Sequence, residues 1–482
     1  MNYRFMLKII GNVLKYELAL LLLPLAVAIY YGEGDAKSFI ITIIMFIPLT
    51  VLLCNVKTNS NEIYAKEGFC TVGFTWIVIS IVGAVPFFLS GSIPSFIDAF
   101  FETVSGFTTT GSTILSEVQS LPKGILFWRS FTHWIGGMGV LIFVLALVPS
   151  ISKKAIFLLK AESPGPTPGK ILPKIKETAK TLYIIYFVLT VIQTILLMIS
   201  GLSFYDSLIH SLGTAGTGGF SNMNASVAAF HNPAAEWIIA IFMILFGINF
   251  ALYFQLLKGK FTSFFKSEEL KYYLLMILIA VVVITFNILG LNKGNIGLSI
   301  RESAFQVASV ITTTGYATAD FNFWPTLSKL ILVMLMFVGA MAGSTGGGIK
   351  TIRVVIMFKA IRREINKILH PKRIQSVKID GKTVEQETVS GVFIFLGAYI
   401  IISLIAMFIV AFDGFDIVTT VTSVITTISN IGPGLELVGP TGNFAAFSPI
   451  SKLVFSFCML AGRLEIYPML IMFSTSIWRK KY

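Results

Sequence analysis

Four short stretches of this chain combine hydroxyls, glycines and a carboxylate at matched spacing: "IDAFFETVSGFTTTGST" (97–113), "YDSLIHSLGTAGTGGFS" (205–221), "RESAFQVASVITTTGYA" (301–317) and "FDIVTTVTSVITTISNIGPGL" (415–435). Hydroxyl clusters can serve covalent catalysis or the coordination of a cation. Catalysis needs a nucleophile, a base and an orienting acid within reach, yet here the threonines recur fourfold and the histidines do not. A cation needs oxygens converging on one point, which a fourfold set supplies. The repetition therefore points to a pore rather than an enzyme.

Aligned on the glycine, Gly111, Gly219, Gly315 and Gly432 fall at equivalent points. In the first three an acid stands 13 residues earlier, at Asp98, Asp206 and Glu302; in the fourth, Asp416 stands one helical turn further back. An acid followed by about three helical turns and a glycine predicts a short helix with its carboxylate at the positive N-terminal end. Four such helices around an axis aim their C-termini and a set of loop carbonyls at one point, a favourable place for a dehydrated cation. The expected filter residues are Thr109, Thr110 and Gly111; Thr217, Gly218 and Gly219; Thr313, Thr314 and Gly315; and Asn430, Ile431 and Gly432. Thr312, Thr313 and Thr314 are expected to supply both backbone and hydroxyl oxygen. Small and hydroxylated residues also serve helix packing in membranes, but four clusters in register between paired spans exceed what packing requires.

The elements that must hold these loops are apolar. Of 482 residues, 55% are hydrophobic and 13% charged, with a mean hydropathy of +0.82. That leaves too little polar surface for a soluble globule of this size and makes the chain an integral membrane protein. Crossing about 30 Å of hydrocarbon takes roughly 20 helical residues. Runs of that order lie near 15–31, 38–54, 70–90, 124–150, 179–201, 235–257, 268–290, 327–357, 388–412 and 449–476. The first is read as a retained span rather than a cleaved leader. The polar segments between later pairs read as re-entrant loops, tolerated at membrane depth only where protein or water surrounds them.

The predicted fold is therefore an all-α membrane protein: four span–pore-loop–span repeats in pseudo-fourfold arrangement around one central pore, preceded by two transmembrane helices. The expected divisions are 1–66 (helix pair), 67–155, 156–262, 263–375 and 376–482 (the four repeats). Lysine and arginine collect in 151–180, 258–266, 359–382 and the tail Arg479, Lys480 and Lys481, which predicts cytoplasmic termini and loops entering from outside. The net charge of +13 thus reports topology, not a nucleic-acid surface. Segment 359–382 either only touches anionic lipid or also docks an acidic cytosolic partner. Cys54, Cys70 and Cys458 have neither disulfide nor zinc spacing.

Five glycines within 339–348 interrupt the span at 327–357 and should break its helix in mid-membrane. That insert, Gly343, Ser344, Thr345, Gly346, Gly347, Gly348 and Lys350, is the expected gate. Its likeness to a nucleotide-binding loop fails, because Ile349 intrudes before Lys350 and no strand precedes it. Arg463 and Glu465, costly at membrane depth, should face the interior, with Arg463 against the 343–350 loop. Asp320 either draws cations to the mouth or is a solvated carboxylate, and Asp413 and Glu436 have a weaker version of that choice. Arg129 and Arg301 should pair with acids, while His133 and His210 read as packing residues.

With these motifs the chain resembles the superfamily of bacterial Trk and Ktr and plant HKT potassium transporters, most closely its TrkH/TrkG type. The match spans nearly the whole chain and includes "TTTGST", "TGGFS", "TTTGYATADF", "SNIGPGL", "WIGGMG" (134–139), "PKIKETAK" (173–180), "GSTGGGIKT" (343–351) and "AGRLEIYP" (461–468). The resemblance implies a potassium pore in a bacterial inner membrane, with K+ as transported ion and an intramembrane gating loop at 343–350. It further implies a homodimer and a cytosolic TrkA-type regulatory subunit that binds NAD(H) or ATP/ADP. A serine at the first filter glycine accompanies sodium permeation in some members, so Gly111 favours potassium. A proton- or sodium-coupled symporter, or a sodium-permeable relative, is the alternative.

Overall fold

The structure is a computed structural model that describes residues 2–58, 65–139, 175–373 and 375–475. The basic stretch 151–174, the tail residues Arg479, Lys480 and Lys481, and the expected division after 155 lie outside the described residues.

Helices α1 (Tyr3–Leu20) and α2 (Leu22–Tyr31) form one span broken at Leu21, where Pro24 has no N–H to return to the preceding turn. Helix α3 (Ala36–Cys54) returns beside α1, and Gly11 admits the α3 end so closely that an added Cβ would lie 2.6 Å from that of Leu53. Four units of one pattern follow. The first comprises α4 (Ala65–Leu89), α5 (Phe96–Phe107) and α6 (Lys123–Gly137). The second comprises α7 (Ile175–Ile199), α8 (Phe204–Gly216), α9 (Pro233–Phe246) and α10 (Phe250–Leu257). After a short α11 (Phe261–Lys266), the third has α12 (Glu268–Ile288), α13 (Ile296–Ile311), α14 (Thr326–Val338) and, beyond a loop, α15 (Thr351–Leu369). A two-stranded hairpin, β1 (Lys378–Ile379) with β2 (Lys382–Thr383), leads to the fourth: α16 (Gln386–Val410), α17 (Ile417–Ser429), α18 (Pro449–Arg463) and α19 (Tyr467–Met472).

Among the described residues, six helices are long and apolar enough to cross a membrane: Tyr3–Tyr31, Ala36–Cys54, Lys66–Leu89, Ala179–Ile199, Glu268–Ile288 and Gln386–Asp413. This multi-pass architecture corrects the expected list of ten continuous spans. The second span of every unit stops short, with α6, α9, α14 and α18 running 15, 14, 13 and 15 residues. At about 1.5 Å per residue each reaches roughly 20 Å and ends in mid-membrane. The break expected only at 339–348 is thus fourfold. Helices α9 and α10 meet at 89°, and α18 gives way to α19 through Glu465 and Ile466, both at positive φ.

Burial sorts the layers. The first spans of units two, three and four are only 28–33% buried and turn side chains such as Phe187, Phe286 and Phe408 outward, as lipid-facing helices do. Helix α4 is 67% buried because α1 and α3 cover it. Helices α5, α8, α13 and α17 occupy the centre, and their last turns are wholly enclosed.

Candidate functional site

The four central helices begin and end alike. Ser95, Ser203, Asn295 and Asp416 each cap the backbone N–H three residues on: Asp98, Asp206, Leu298 and Thr419. Asp98 and Asp206 sit in the first turn as expected. Glu302 does not, because α13 starts a turn earlier, at Ile296; its carboxylate instead accepts from Asn292 Nδ2 at 2.8 Å.

At the other end all four chains close the same C-terminal turn. The N–H groups of Thr110, Gly218, Thr314 and Ile431 reach back five residues, to the carbonyls of Ser105, Gly213, Ser309 and Thr426, at 2.8–3.0 Å. This turn needs a left-handed residue just before the returning N–H. Thr109, Thr217, Thr313 and Asn430 fill that place at φ 55–59°, and Gly111, Gly219, Gly315 and Gly432 follow at φ 79–101°. Threonine is a costly choice there, since the left-handed region crowds Cβ by roughly 1–2 kcal/mol, and such strain concentrates at functional sites. The intervening Thr110, Gly218, Thr314 and Ile431 keep negative φ. Each loop thus alternates in handedness, with its carbonyls as its chief polar groups.

The four loops close a ring. A Cβ on Gly111 would stand 2.0 Å from the Gly218 carbonyl oxygen, one on Gly219 2.0 Å from that of Thr314, one on Gly315 2.2 Å from that of Ile431, and one on Gly432 2.9 Å from that of Thr110. Every glycine faces the carbonyl just before the next unit's glycine, and the fourth unit returns to the first. Side chains lock the seams. Arg129 Nη1 donates to Ser221 O at 2.8 Å, Tyr316 Oη to Phe220 O at 3.2 Å, Asn322 Nδ2 to Glu436 O at 3.3 Å and Asn430 Nδ2 to Thr110 Oγ1 at 2.9 Å. The sequence reading missed these ties, because nothing in the spacing pairs residues from different units.

The hydroxyls differ from expectation. Thr312 Oγ1 donates to Ala308 O at 2.6 Å and bonds Thr314 Oγ1 at 2.8 Å, while Thr313 Oγ1 accepts from Gly347 N–H at 2.6 Å. These three hydroxyls hold the loop to the protein and leave coordination to the backbone. All four glycines line a cavity of about 130 Å³, together with Arg129, Thr441 and others. Arg129 is paired there with the fully buried Glu102 at 2.6 Å.

On the other face of the ring lies the segment Gly339–Lys350, which leaves the helix with positive φ at Gly339, Gly343, Gly348 and Lys350. It touches all four units. Gly347 N–H meets Thr313, a Cβ on Gly347 would lie 2.4 Å from Ser429 O, and Thr345 Oγ1 donates to Phe246 O at 3.3 Å. Arg463 donates to Thr345 O at 2.7 Å and to Gly136 O and Gly137 O at 2.5 and 2.6 Å. A segment that reaches every unit of a ring lies on its axis. Lys350 Nζ donates to Gly346 O within the loop, and Ser344 and Thr345 are buried. Glu465 pairs with Arg353 rather than with Arg463. Two further glycines, unread in the sequence, let short spans touch helix ends: Cβ atoms on Gly136 and Gly462 would fall 1.8 and 1.9 Å from Phe107 O and Ile428 O.

The remaining charges are structural. Arg301 pairs with Glu236 at 2.9 Å and Lys452 with Asp98 at 2.7 Å. Asp320 accepts from Asn322 N–H at 3.0 Å and Thr441 Oγ1 at 3.3 Å, and Asp413 accepts from Ser448 N–H. Glu436 uses its backbone, whose N–H donates to Asn322 Oδ1. His133 bonds Gly106 O and Phe220 N–H, and His210 bonds Asp206 O and Ser221 Oγ. Both imidazoles are buried and occupied on both nitrogens. Among the described residues no group of His, Cys, Asp or Glu could hold a metal ion.

Comparison with known proteins agrees with this geometry. A family model, TrkH, described as a cation transport protein, matches residues 35–480. The chain is 35% identical to the Trk system potassium uptake protein TrkH of Salmonella typhimurium over 100% of both chains. It is 32% identical to TrkG of Escherichia coli over 95% of this chain and 94% of that one. The crystal structure of the potassium transporter TrkH from Vibrio parahaemolyticus superposes with a TM-score of 0.90 at 30% identity, covering 99% of this chain and 100% of that chain. These relatives are transporters, not enzymes, and the chain belongs to the TrkH family of cation transport proteins.

Proposed function

We propose that the chain takes up potassium across a bacterial inner membrane through the ring of four glycine loops. The observation that carries this reading is the closed cycle of glycine-to-carbonyl approaches from Gly111 through Gly219, Gly315 and Gly432. Backbone oxygens from Thr109 to Gly111, Thr217 to Gly219, Thr313 to Gly315 and Asn430 to Gly432 replace the hydration shell of K+. The names of the full-length relatives, potassium uptake proteins, support the choice of ion.

The loop Gly343–Lys350 is the gate, held closed by Arg463, whose positive charge also opposes cation passage. Passive, gated conduction is preferred to symport, because a fixed ring is not a cavity between two moving halves. The protein works as a homodimer with both termini cytoplasmic. A TrkA-type subunit, binding NAD(H) or ATP/ADP, acts on the basic cytoplasmic face, which also meets anionic lipid. The division of the chain into a helix pair at 1–66 and units at 67–155, 156–262, 263–375 and 376–482 belongs to this proposal.

The test is potassium or rubidium flux into liposomes holding the purified protein, against sodium, beside Gly315→Ser. Potassium-selective flux that the substitution abolishes or makes sodium-tolerant is the expected result. No flux of either ion, from folded protein with its regulatory subunit supplied, overturns the proposal.

A further inference from the structure

The axial loop is tied at its tip by Thr313 and Arg463, deep among the four units. Its base is tied separately, by a residue no motif singled out. Where a chain leaves and re-enters helix, backbone N–H groups lose their partners. Two such groups, on Ala342 in the descending limb and Ile352 in the first turn of α15, both donate to one oxygen, Oε1 of Glu269, at 2.7 and 3.2 Å. Glu269 is 7% exposed and stands in the first turn of α12. One acceptor thus bridges both limbs of the loop. Around it Ala342, Ile352, Ile356, Val377, Val389 and Val392 form a separate small apolar cluster.

The same helix end is gripped from the surface. The N–H of Glu268 donates to Asp380 Oδ1 at 2.7 Å. Lys359 of α15 pairs with the Glu268 carboxylate and donates to Lys378 O at 2.7 Å. Asp380 and Gly381 are the two turn residues of the β1–β2 hairpin, both at positive φ, as the tight two-residue turn requires. The hairpin turn is exposed, whereas the Val377 at its base is buried against the loop's foot.

We propose that Glu269 is a positioning residue that clasps the two limbs of the closed loop, and that the β1–β2 hairpin is the handle through which a force at the protein surface reaches that clasp. This rests on the reading of 343–350 as a gate. The clasp acts as a hydrogen-bond acceptor: glutamine keeps an oxygen at that place and alanine does not.

The experiment compares wild type, Glu269→Ala, Glu269→Gln and Asp380→Ala by hydrogen exchange of peptides covering 339–353 and by single-channel recording without a regulatory subunit. Glu269→Ala is expected to speed exchange at Ala342 and Ile352 at least tenfold and to raise the open fraction several-fold, with unitary conductance and K+/Na+ preference unchanged. Glu269→Gln should stay near wild type and Asp380→Ala fall between. Wild-type exchange and gating in Glu269→Ala, or equal effects of Gln and Ala, overturns the clasp. Should Glu269→Ala fail to fold, exchange in Asp380→Ala decides: no acceleration at the two amides overturns the handle and the clasp together. If wild type conducts nothing, the gating reading falls, yet exchange at the two amides still tells whether Glu269 holds the loop.

Discussion

The carbonyl oxygen of Thr314 stands 2.0 Å from the place where a Cβ on Gly219 would be built. No real Cβ tolerates that distance, and the atom in the way is backbone. A side chain at Gly219 therefore displaces not its own loop but the carbonyl of the next unit. Serine at Gly111, Gly219 or Gly315 is expected to cut K+/Na+ selectivity at least about tenfold, a loss of roughly 1.4 kcal/mol. Gly432, with 2.9 Å of room, should suffer least. Competitive flux in liposomes checks the ranking, and equal tolerance at all four positions would refute the ring.

Arg463 makes three hydrogen bonds to carbonyls, one on the axial loop and two at the end of α6. Hydrogen bonds to a charged group contribute roughly 1.5–3 kcal/mol each. Arg463→Ala should raise flux in the absence of a regulatory subunit by tenfold or more. Unchanged flux sinks the gating role.

Thr313 serves two masters, its backbone in the ring and its hydroxyl on the loop, where it accepts from Gly347 N–H at 2.6 Å. Thr313→Val keeps the branched shape and removes the acceptor. A several-fold rise in open fraction with K+/Na+ preference retained is expected in single-channel records; lost preference would assign the hydroxyl to the ion.

Arg129 and Glu102 are both buried at 2.6 Å in the wall of the cavity above the ring. Breaking a buried pair from one side costs roughly 3–5 kcal/mol, whereas replacing both partners costs far less. Arg129→Met should lower the thermal midpoint of the purified protein sharply, and Arg129→Met with Glu102→Gln should recover most of it. A double variant no better than the single one would show that the pair is not the source of the loss.

Asp416 caps α17, and hydrogen bonds from the Thr419 side chain and backbone hold its carboxyl below the usual range. A depressed pKa means that the folded state prefers the ionised form. Its contribution is present above the unfolded value of about 3.9 and is lost as pH falls through the lower folded value. Asp416→Ala should cost about 1 kcal/mol at neutral pH, and the gap in thermal midpoint from wild type should narrow below about pH 4. A gap independent of pH would exclude the carboxylate as its cause.

The sequence by itself determined the membrane class, the fourfold register of Gly111, Gly219, Gly315 and Gly432, and the interruption after Val338, because hydropathy, glycine and hydroxyl content act locally along the chain. It also placed the acids of the first two central helices, where Ser95 and Ser203 cap in the ordinary way. Local patterns failed where distant segments meet. Apolar runs such as 235–257 read as continuous spans, since composition cannot register that Gly247 must bend the chain toward Met341, whose N–H donates to Gly247 O at 3.1 Å. Threonine at 109, 217 and 313 gives no sign of left-handed backbone, which only the enclosed helix ends impose. The ring order, the hold of Arg463 on Thr345 and the hold of Glu269 on Ala342 and Ile352 join residues far apart in the chain. Only packing four units about one axis brings those donors and acceptors to each other, because a backbone group buried without water must find its partner wherever the fold provides one.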